Sequence, residues 1–349
     1  MRHAERITMS NRILIVEVNW LGDVLFSTPA IRALKNKYPD SFLGVLMHKR
    51  CREVLVENPN VNEIIVLDEA GRHRGFLGKM RLVRELKAKR FDTVYLFHRS
   101  FTRTLICLLS GIKNRIGYYT PKRRFLLTQS VSPPKGVTHR AAYYYYLVTG
   151  EIPQDISELR CDFFIGKKDE SYIEEVLKKE DIDKNKRLVV IHPSGNWLPK
   201  RWPKDNFAKL ADELIDRFKV TVVFSGAQQE KAVLADILSS MKNKPLNLCG
   251  KINLKQLGAI FKRADLVISA DSGPLHIAVT LNRPTVAIFG PTSTAITGPL
   301  SDENTAILQK EIDCVIPCYK QDCPDNRCMR QISVSDVMEC IEEKKWLTR

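Results

Sequence analysis

Short apolar runs alternate with helix-length segments along this chain, and the alternation starts afresh in its second half. Ile13–Val18 is apolar throughout except for Glu17, the pattern of a strand buried on both faces of a parallel sheet. A helix is expected from about Val24 to Tyr38, followed by strand-like runs at Phe42–Met47, Glu63–Leu67 and Thr93–Phe97 with basic helical stretches between them. Tyr143–Tyr146 covers every side of a helix and reads as packing. In the second half Leu188–Ile191, Val220–Phe224, Leu246–Leu248, Leu266–Ser269 and Thr285–Phe289 read as strands. Lys204–Phe218, Gln229–Met241, Leu254–Arg263, Pro274–Leu281 and Val334–Lys345 read as helices. At 349 residues the chain exceeds the usual span of one hydrophobic core. The expectation is an α/β protein with two doubly wound, Rossmann-like domains facing across a cleft, with ligands at the carboxyl ends of the strands. The boundaries predicted are 1–165, a charged connector 166–187, 188–330, and a C-terminal helical segment 331–349.

Charge is divided unevenly between these halves. Residues 1–150 hold 26 Lys and Arg against 11 Asp and Glu, whereas residues 151–349 hold 29 of each. The excess is densest in Arg72–Arg90 and Lys122–Arg124. One explanation is a solvated helix face; the other is an anionic partner for the first domain: nucleic acid, a membrane surface or a phosphorylated acceptor. No apolar run approaches the ~20 residues that cross a bilayer. The segment Met1–Arg12 has no apolar core of a secretion signal, and Met9 is a second candidate start, so a cytoplasmic protein is expected.

The polar residues worth chemistry lie just after predicted strands. Trp20-Leu21-Gly22-Asp23 follows the first; Asp23 can cap the next helix or act as a general base, and position alone leaves both open. His192-Pro193-Ser194-Gly195 follows the first strand of the second half, and Pro199-Lys200-Arg201-Trp202-Pro203 comes next. A Ser-Gly turn offers hydroxyl and N–H donors to phosphate, and Lys200 supplies a point charge. Asp271-Ser272-Gly273-Pro274-Leu275-His276 runs from a strand into a helix whose N-terminus favours a diphosphate. Phe289-Gly290-Pro291-Thr292-Ser293 leaves the following strand with small residues that let a ligand approach the backbone. Each is ordinary loop chemistry by itself; together they suit a nucleotide diphosphate without a metal. Neither a P-loop nor the G-x-G-x-x-G fingerprint occurs, which argues against a nicotinamide dehydrogenase.

The ordered set WLGD, PKRWP, DSGPLHIA and FGPT resembles the ADP-heptose:lipopolysaccharide heptosyltransferases of glycosyltransferase family 9, above all their heptosyltransferase II branch. The likeness runs from Arg12 to about Lys345, with the motifs in family order and spacing. It implies a GT-B fold, an inverting mechanism, an ADP-heptose donor as substrate, no cofactor and no divalent metal. Asp23 then matches the catalytic base and Lys200 the lysine on the donor diphosphate. Ser194, Gly195, Asp271, Ser272, Gly273, His276 and Thr292 fall in donor-binding motifs, Glu230 where a ribose carboxylate is expected, and Lys251 and Ile252 in the segment lining adenine. Gly22, Arg72, Arg74 and Arg123 are implied to meet the acceptor, an anionic lipid-linked saccharide carrying Kdo carboxylates. Pro274 departs from the leucine expected after the glycine, a change that a helix's first turn tolerates.

The resemblance gives the basic first half a partner: the acceptor and the anionic inner membrane that carries it. Two alternatives stand beside this reading. A family 9 enzyme could use another sugar or acceptor. A nucleic-acid-binding protein would explain the charge, but no recognition helix or aromatic sheet motif is present. Cys314, Cys318, Cys323 and Cys328 lie close enough in sequence for a structural metal or redox clip, with free packed thiols the alternative.

Overall fold

The structure is a computed structural model. It describes residues 12–136, 138–182, 185–193, 195, 197–301 and 303–348; the segment with Met1 and Met9, and the candidate Ser194, lie outside the described residues. The chain divides into two compact units, with the boundary between Phe164 and Ile165.

In the first unit β1 (Arg12–Val16), β2 (Phe42–His48), β3 (Glu63–Leu67), β4 (Thr93–Leu96), β5 (Asn114–Tyr118) and β6 (Gln129–Val131) form one sheet in the order β3-β2-β1-β4-β5-β6. Every pairing in it is parallel. Ile13, Leu14, Ile15 and Val16 of β1 are fully buried, each contributing about 1.5–3 kcal/mol of apolar burial. The helix after β1 spans Leu21–Lys37, beginning earlier than the sequence pattern suggests and taking Asp23 into its first turn. It packs against the helix Arg140–Thr149. Helix Gly75–Ala88 connects β3 to β4, and helix Phe101–Leu109 connects β4 to β5.

The second unit repeats the plan. β7 (Leu188–His192), β8 (Thr221–Phe224), β9 (Leu246–Asn247), β10 (Leu266–Ala270), β11 (Thr285–Ile288) and β12 (Thr305–Leu308) are ordered β12-β11-β10-β7-β8-β9 and all parallel. Taken in chain order, both sheets have the 3-2-1-4-5-6 arrangement of a dinucleotide-binding fold. Trp202 anchors the core, edge-on to Phe207 and donating from Nε1 to Ile332 O at 2.8 Å. The C-terminal helix Val334–Glu343 is capped by Ser333 and packs on the helix Lys204–Phe218 and on β11 and β12. The charged stretch read as a connector folds largely as the helix Lys167–Lys179, which buries Ile173 and Leu177 and packs on the helix Leu254–Arg263. No described helix is long and apolar enough to cross a membrane.

Candidate functional site

Strand order reverses between β1 and β4 in the first sheet and between β7 and β10 in the second. Loops leaving such a pair at their carboxyl ends diverge and open a crevice. Gly22 and Asp23 lie at the first of these places, and Lys200, Asp271, His276 and Thr292 at the second.

In the second unit Asp271 follows β10 and is nearly buried. Its N–H still pairs with Ile288 O at 3.0 Å, so the sheet fixes its backbone. Lys200 Nζ lies 2.6 Å from Asp271 Oδ2, the Thr292 hydroxyl donates to the same oxygen at 2.6 Å, and His276 Nε2 is 3.7 Å from Oδ1. Burial alone would raise this carboxyl, but His276 and the ammonium of Lys200 outweigh it and hold it at about 2. Ser272 caps the helix Gly273–Thr280, accepting from Leu275 N, and Pro274 occupies its first turn. Gly195 sits close by: a Cβ on it would stand 3.7 Å from Asp271 O and 3.8 Å from the Lys200 Cβ. Arg201 Nε donates to Gly195 O at 2.9 Å and braces that turn.

A second group lies at the ends of β8 and β9. Glu230 is buried and accepts from Ala227 N at 2.6 Å. Gly250, at φ +66°, brings the loop of Lys251 and Ile252 against Gln228 and Lys231; a Cβ there would meet Gln228 Oε1 at 2.4 Å. His192, at the end of β7, joins the two groups through its 3.1 Å contact with Ser225 Oγ. Its imidazole is pushed below the usual range by burial, with Glu230 acting the other way.

In the first unit Gly22 and Asp23 open the helix after β1. Tyr144 OH donates to Asp23 Oδ1 at 3.4 Å, and Arg140 Nε is 3.8 Å from the same oxygen. Burial first, and then the negative charge of Asp23, raise the Tyr144 phenol well above its ordinary range, so it stays a donor. Glu17, beneath this turn, is fully buried; the Ser27 hydroxyl donates to it at 2.7 Å and Val18 N at 3.1 Å. Desolvation raises its carboxyl to about 8 against the hydrogen bonds of Ser27 and Val18, with Asp23 adding to the rise. Arg103 binds the loop from the other side, donating to Glu17 O, Asn19 Oδ1 and Glu69 Oε2. Burial and then Arg103 push His98, 3.3 Å from Asn19 Nδ2, down to about 4. Sequence reading took Tyr144 for packing, noted Glu17 only as a break in the first strand, and gave Arg140 and Arg103 no role. Only Glu17 left a signal, as the lone acid in an otherwise apolar strand.

Arg72 and Arg74 are exposed in the turn after β3, with Arg72 paired to Glu85. Arg123 needs correction: its side chain is fully buried and donates to His98 O at 2.7 Å and Tyr118 O at 2.9 Å, so it holds loops together and has no face to offer an acceptor. The four clustered cysteines are free thiols, Cys314 exposed, Cys318 and Cys323 half-buried and Cys328 buried. Among the described residues no three or more His, Cys, Asp or Glu side chains come together as a metal-binding group. Asn326 N donates to the Cys323 sulfur at 3.3 Å, and Cys328 Sγ packs with Met329 against Gly290.

Two parallel sheets of this order, one in each unit, are the GT-B fold that the chain shares with solved heptosyltransferase structures. Residues 79–328 match the profile of glycosyltransferase family 9 (heptosyltransferase), and the chain belongs to that family. Lipopolysaccharide heptosyltransferase 2 of Escherichia coli K12 is 29% identical over 308 residues, covering 85% of this chain and 87% of that protein. The solved structure of E. coli ADP-heptose lps heptosyltransferase II is similar at TM-score 0.79 and 26% identity, over 96% of this chain and 98% of that one. A family 9 glycosyl transferase from Veillonella parvula shares the fold at TM-score 0.87 and 23% identity, over 99% of both chains.

Proposed function

We propose that this enzyme moves a heptose from ADP-heptose to a lipid-linked, Kdo-containing core saccharide, inverting the anomeric centre in one displacement. The observation that carries the reading is the cluster of Lys200, Asp271, Thr292 and His276 at the β7–β10 switch point. Polar residues there continue along the strand ends from β9 to β11, four strand spacings, or about 19 Å at ~4.8 Å each. An extended nucleotide diphosphate sugar fits such a crest, with Lys251 and Ile252 toward adenine, Glu230 toward ribose and Lys200 toward the diphosphate.

Chemically, the acceptor hydroxyl attacks the anomeric carbon while its proton passes to the Asp23 carboxylate. The bond from that carbon to the diphosphate oxygen breaks, and ADP leaves with an added negative charge. Lys200 and the N–H groups that open the helix Gly273–Thr280 neutralise that charge. With these donors in place the reading assigns no step to a divalent ion. Arg72 and Arg74 attract the anionic acceptor, and the basic first half favours peripheral contact with an anionic inner membrane from the cytoplasmic side. Proton NMR of the product from an acyl-free acceptor tests the displacement. An anomeric configuration opposite to the donor's supports it, and retention rules it out.

A further inference from the structure

Large exposed apolar side chains are normally scattered over a protein surface. In the first unit several of them share one end of the sheet. Trp20 follows β1, Phe76 (76% exposed) and Leu77 (82%) lie between β3 and β4, Phe101 follows β4, and Phe125 (71%) follows β5. Trp20, Phe76, Leu77 and Phe101 therefore leave the carboxyl ends of their strands, the end that also carries Asp23, and Phe125 joins them through its contact with Phe101. Phe76 and Leu77 are fixed there by the fold. They stand in the first turn of the helix Gly75–Ala88, whose Gly78, Leu82, Val83 and Leu86 are buried. Gly78 rests on the backbone of His73 so closely that a Cβ would meet it at 2.4 Å, and His73 is tied back to Asp68. A hollow of about 240 Å³ lined by Gly75, Lys79, Thr102 and Arg103, among others, shows that the two helix starts adjoin. Phe101 and Phe125 meet with ring centroids 6.2 Å apart.

Positive charge surrounds these side chains. Arg72, Arg74, Lys79, Arg81 and Arg84 are exposed around Phe76 and Leu77, and Lys122 and Arg124 flank Phe125. From Thr93 to Gly150 the sequence contains no acidic residue. Exposed aromatic and aliphatic side chains within a cationic rim match the boundary between lipid headgroups and acyl chains.

We propose that Phe76, Leu77, Phe101 and Phe125 form a docking surface for an anionic lipid bilayer, entering the headgroup region while Lys79, Arg81 and Lys122 meet the lipid phosphates. This rests on the reading that the acceptor is lipid-linked: docking at this end of the sheet would bring the Asp23 turn to the surface in which such an acceptor is embedded.

Co-sedimentation of the full chain with vesicles tests the surface, comparing phosphatidylglycerol/phosphatidylethanolamine with phosphatidylcholine alone. The wild type should bind the anionic vesicles and release them as salt rises. Phe76→Ser/Leu77→Ser should weaken that binding about tenfold or more, with melting temperature and turnover of an acyl-free acceptor unchanged. Should the double variant not fold, Phe76→Gln serves the same comparison. Lys79→Gln/Arg81→Gln should weaken binding to anionic vesicles and flatten its salt dependence. The proposal is overturned if the wild type binds no vesicles, if the apolar variants bind as well as wild type, or if they convert a wild-type dimer to a monomer. Preference for a nucleic-acid oligomer over vesicles would overturn it too. Absence of transfer by the wild type to the acyl-free acceptor would instead refute the catalytic reading, since vesicle binding does not depend on it.

Discussion

Lys200 and Asp271 form a 2.6 Å ion pair where the strand order of the second sheet reverses. Asp271 also receives Thr292 on the same oxygen and faces His276 on the other, so its carboxylate is committed to holding neighbours. Its side chain is 4% exposed and that of Lys200 is 23% exposed. The aspartate is therefore the fixed member of the pair, and the lysine keeps a face for a ligand.

Removing the lysine should act on binding and on stability together. Lys200→Ala is expected to weaken ADP binding about tenfold or more and to slow turnover, because the same charge stabilises the leaving diphosphate. It also strands a nearly buried carboxylate, a change that costs up to about 3–5 kcal/mol. Calorimetry with ADP and a thermal melt separate the two effects. Undiminished ADP affinity in a folded variant would remove Lys200 from the donor site.

Asp271 gives the pH dependence its acid limb. Its folded value is depressed to about 2, so its stabilisation is present above the ordinary carboxylate range and is lost as pH falls from about 4 to about 2. Asp271→Asn should flatten that limb in denaturant titrations. Equal slopes for wild type and variant would show that the pair contributes no linkage there.

Glu17 works in the opposite sense. Buried and raised to about 8, it stays protonated in the folded chain while the unfolded chain ionises, so stability falls as pH climbs from the ordinary carboxylate range to about 8. At ~1.4 kcal/mol per pH unit the full effect is a few kcal/mol. Glu17→Gln should hold its stability across that window and overtake the wild type near pH 8. A variant that follows the wild-type curve would contradict the assignment.

The parts of this fold legible in the sequence are those where burial leaves a one-sided record. β1, β7 and β10 lie mid-sheet, and their unbroken apolar runs announce them. β6 is an edge strand and β5 is next to it; Asn114-Arg115 and Gln129-Ser130 face solvent or half-buried surroundings, so no apolar run marks them, while the three apolar residues of β12, Ala306–Leu308, are too short a run to stand out. Gly22-Asp23 and Asp271-Ser272-Gly273 were legible as strand-end turns, which by themselves can simply start a helix; only the ordered set of motifs singled them out. Arg123 was misread because Lys122-Arg123-Arg124 looks uniformly basic, although only the middle residue turns inward. Tyr144 and Arg140 reach Asp23 from a helix more than a hundred residues away, a relation that no local pattern carries.

Asp23 is expected to act on turnover and not on the donor. Asp23→Asn should leave ADP binding nearly unchanged and lower kcat about a hundredfold or more. Tyr144→Phe, which deletes the hydroxyl donating to Asp23, should move the acid limb of the kcat–pH profile to higher pH, because a carboxylate that loses a donor is protonated more readily. Poor ADP binding by Asp23→Asn, with turnover intact at saturation, would make the aspartate a donor-side residue.

The most direct test of the account is a donor screen with the purified full chain and an acyl-free core saccharide, following product mass. ADP-heptose, other ADP-sugars and UDP-sugars are compared with and without EDTA. The account predicts that ADP-heptose alone adds the mass of one heptosyl residue, at a rate that EDTA does not change. Efficient transfer from another sugar nucleotide in preference to ADP-heptose, or transfer abolished by EDTA and restored by magnesium, would contradict it.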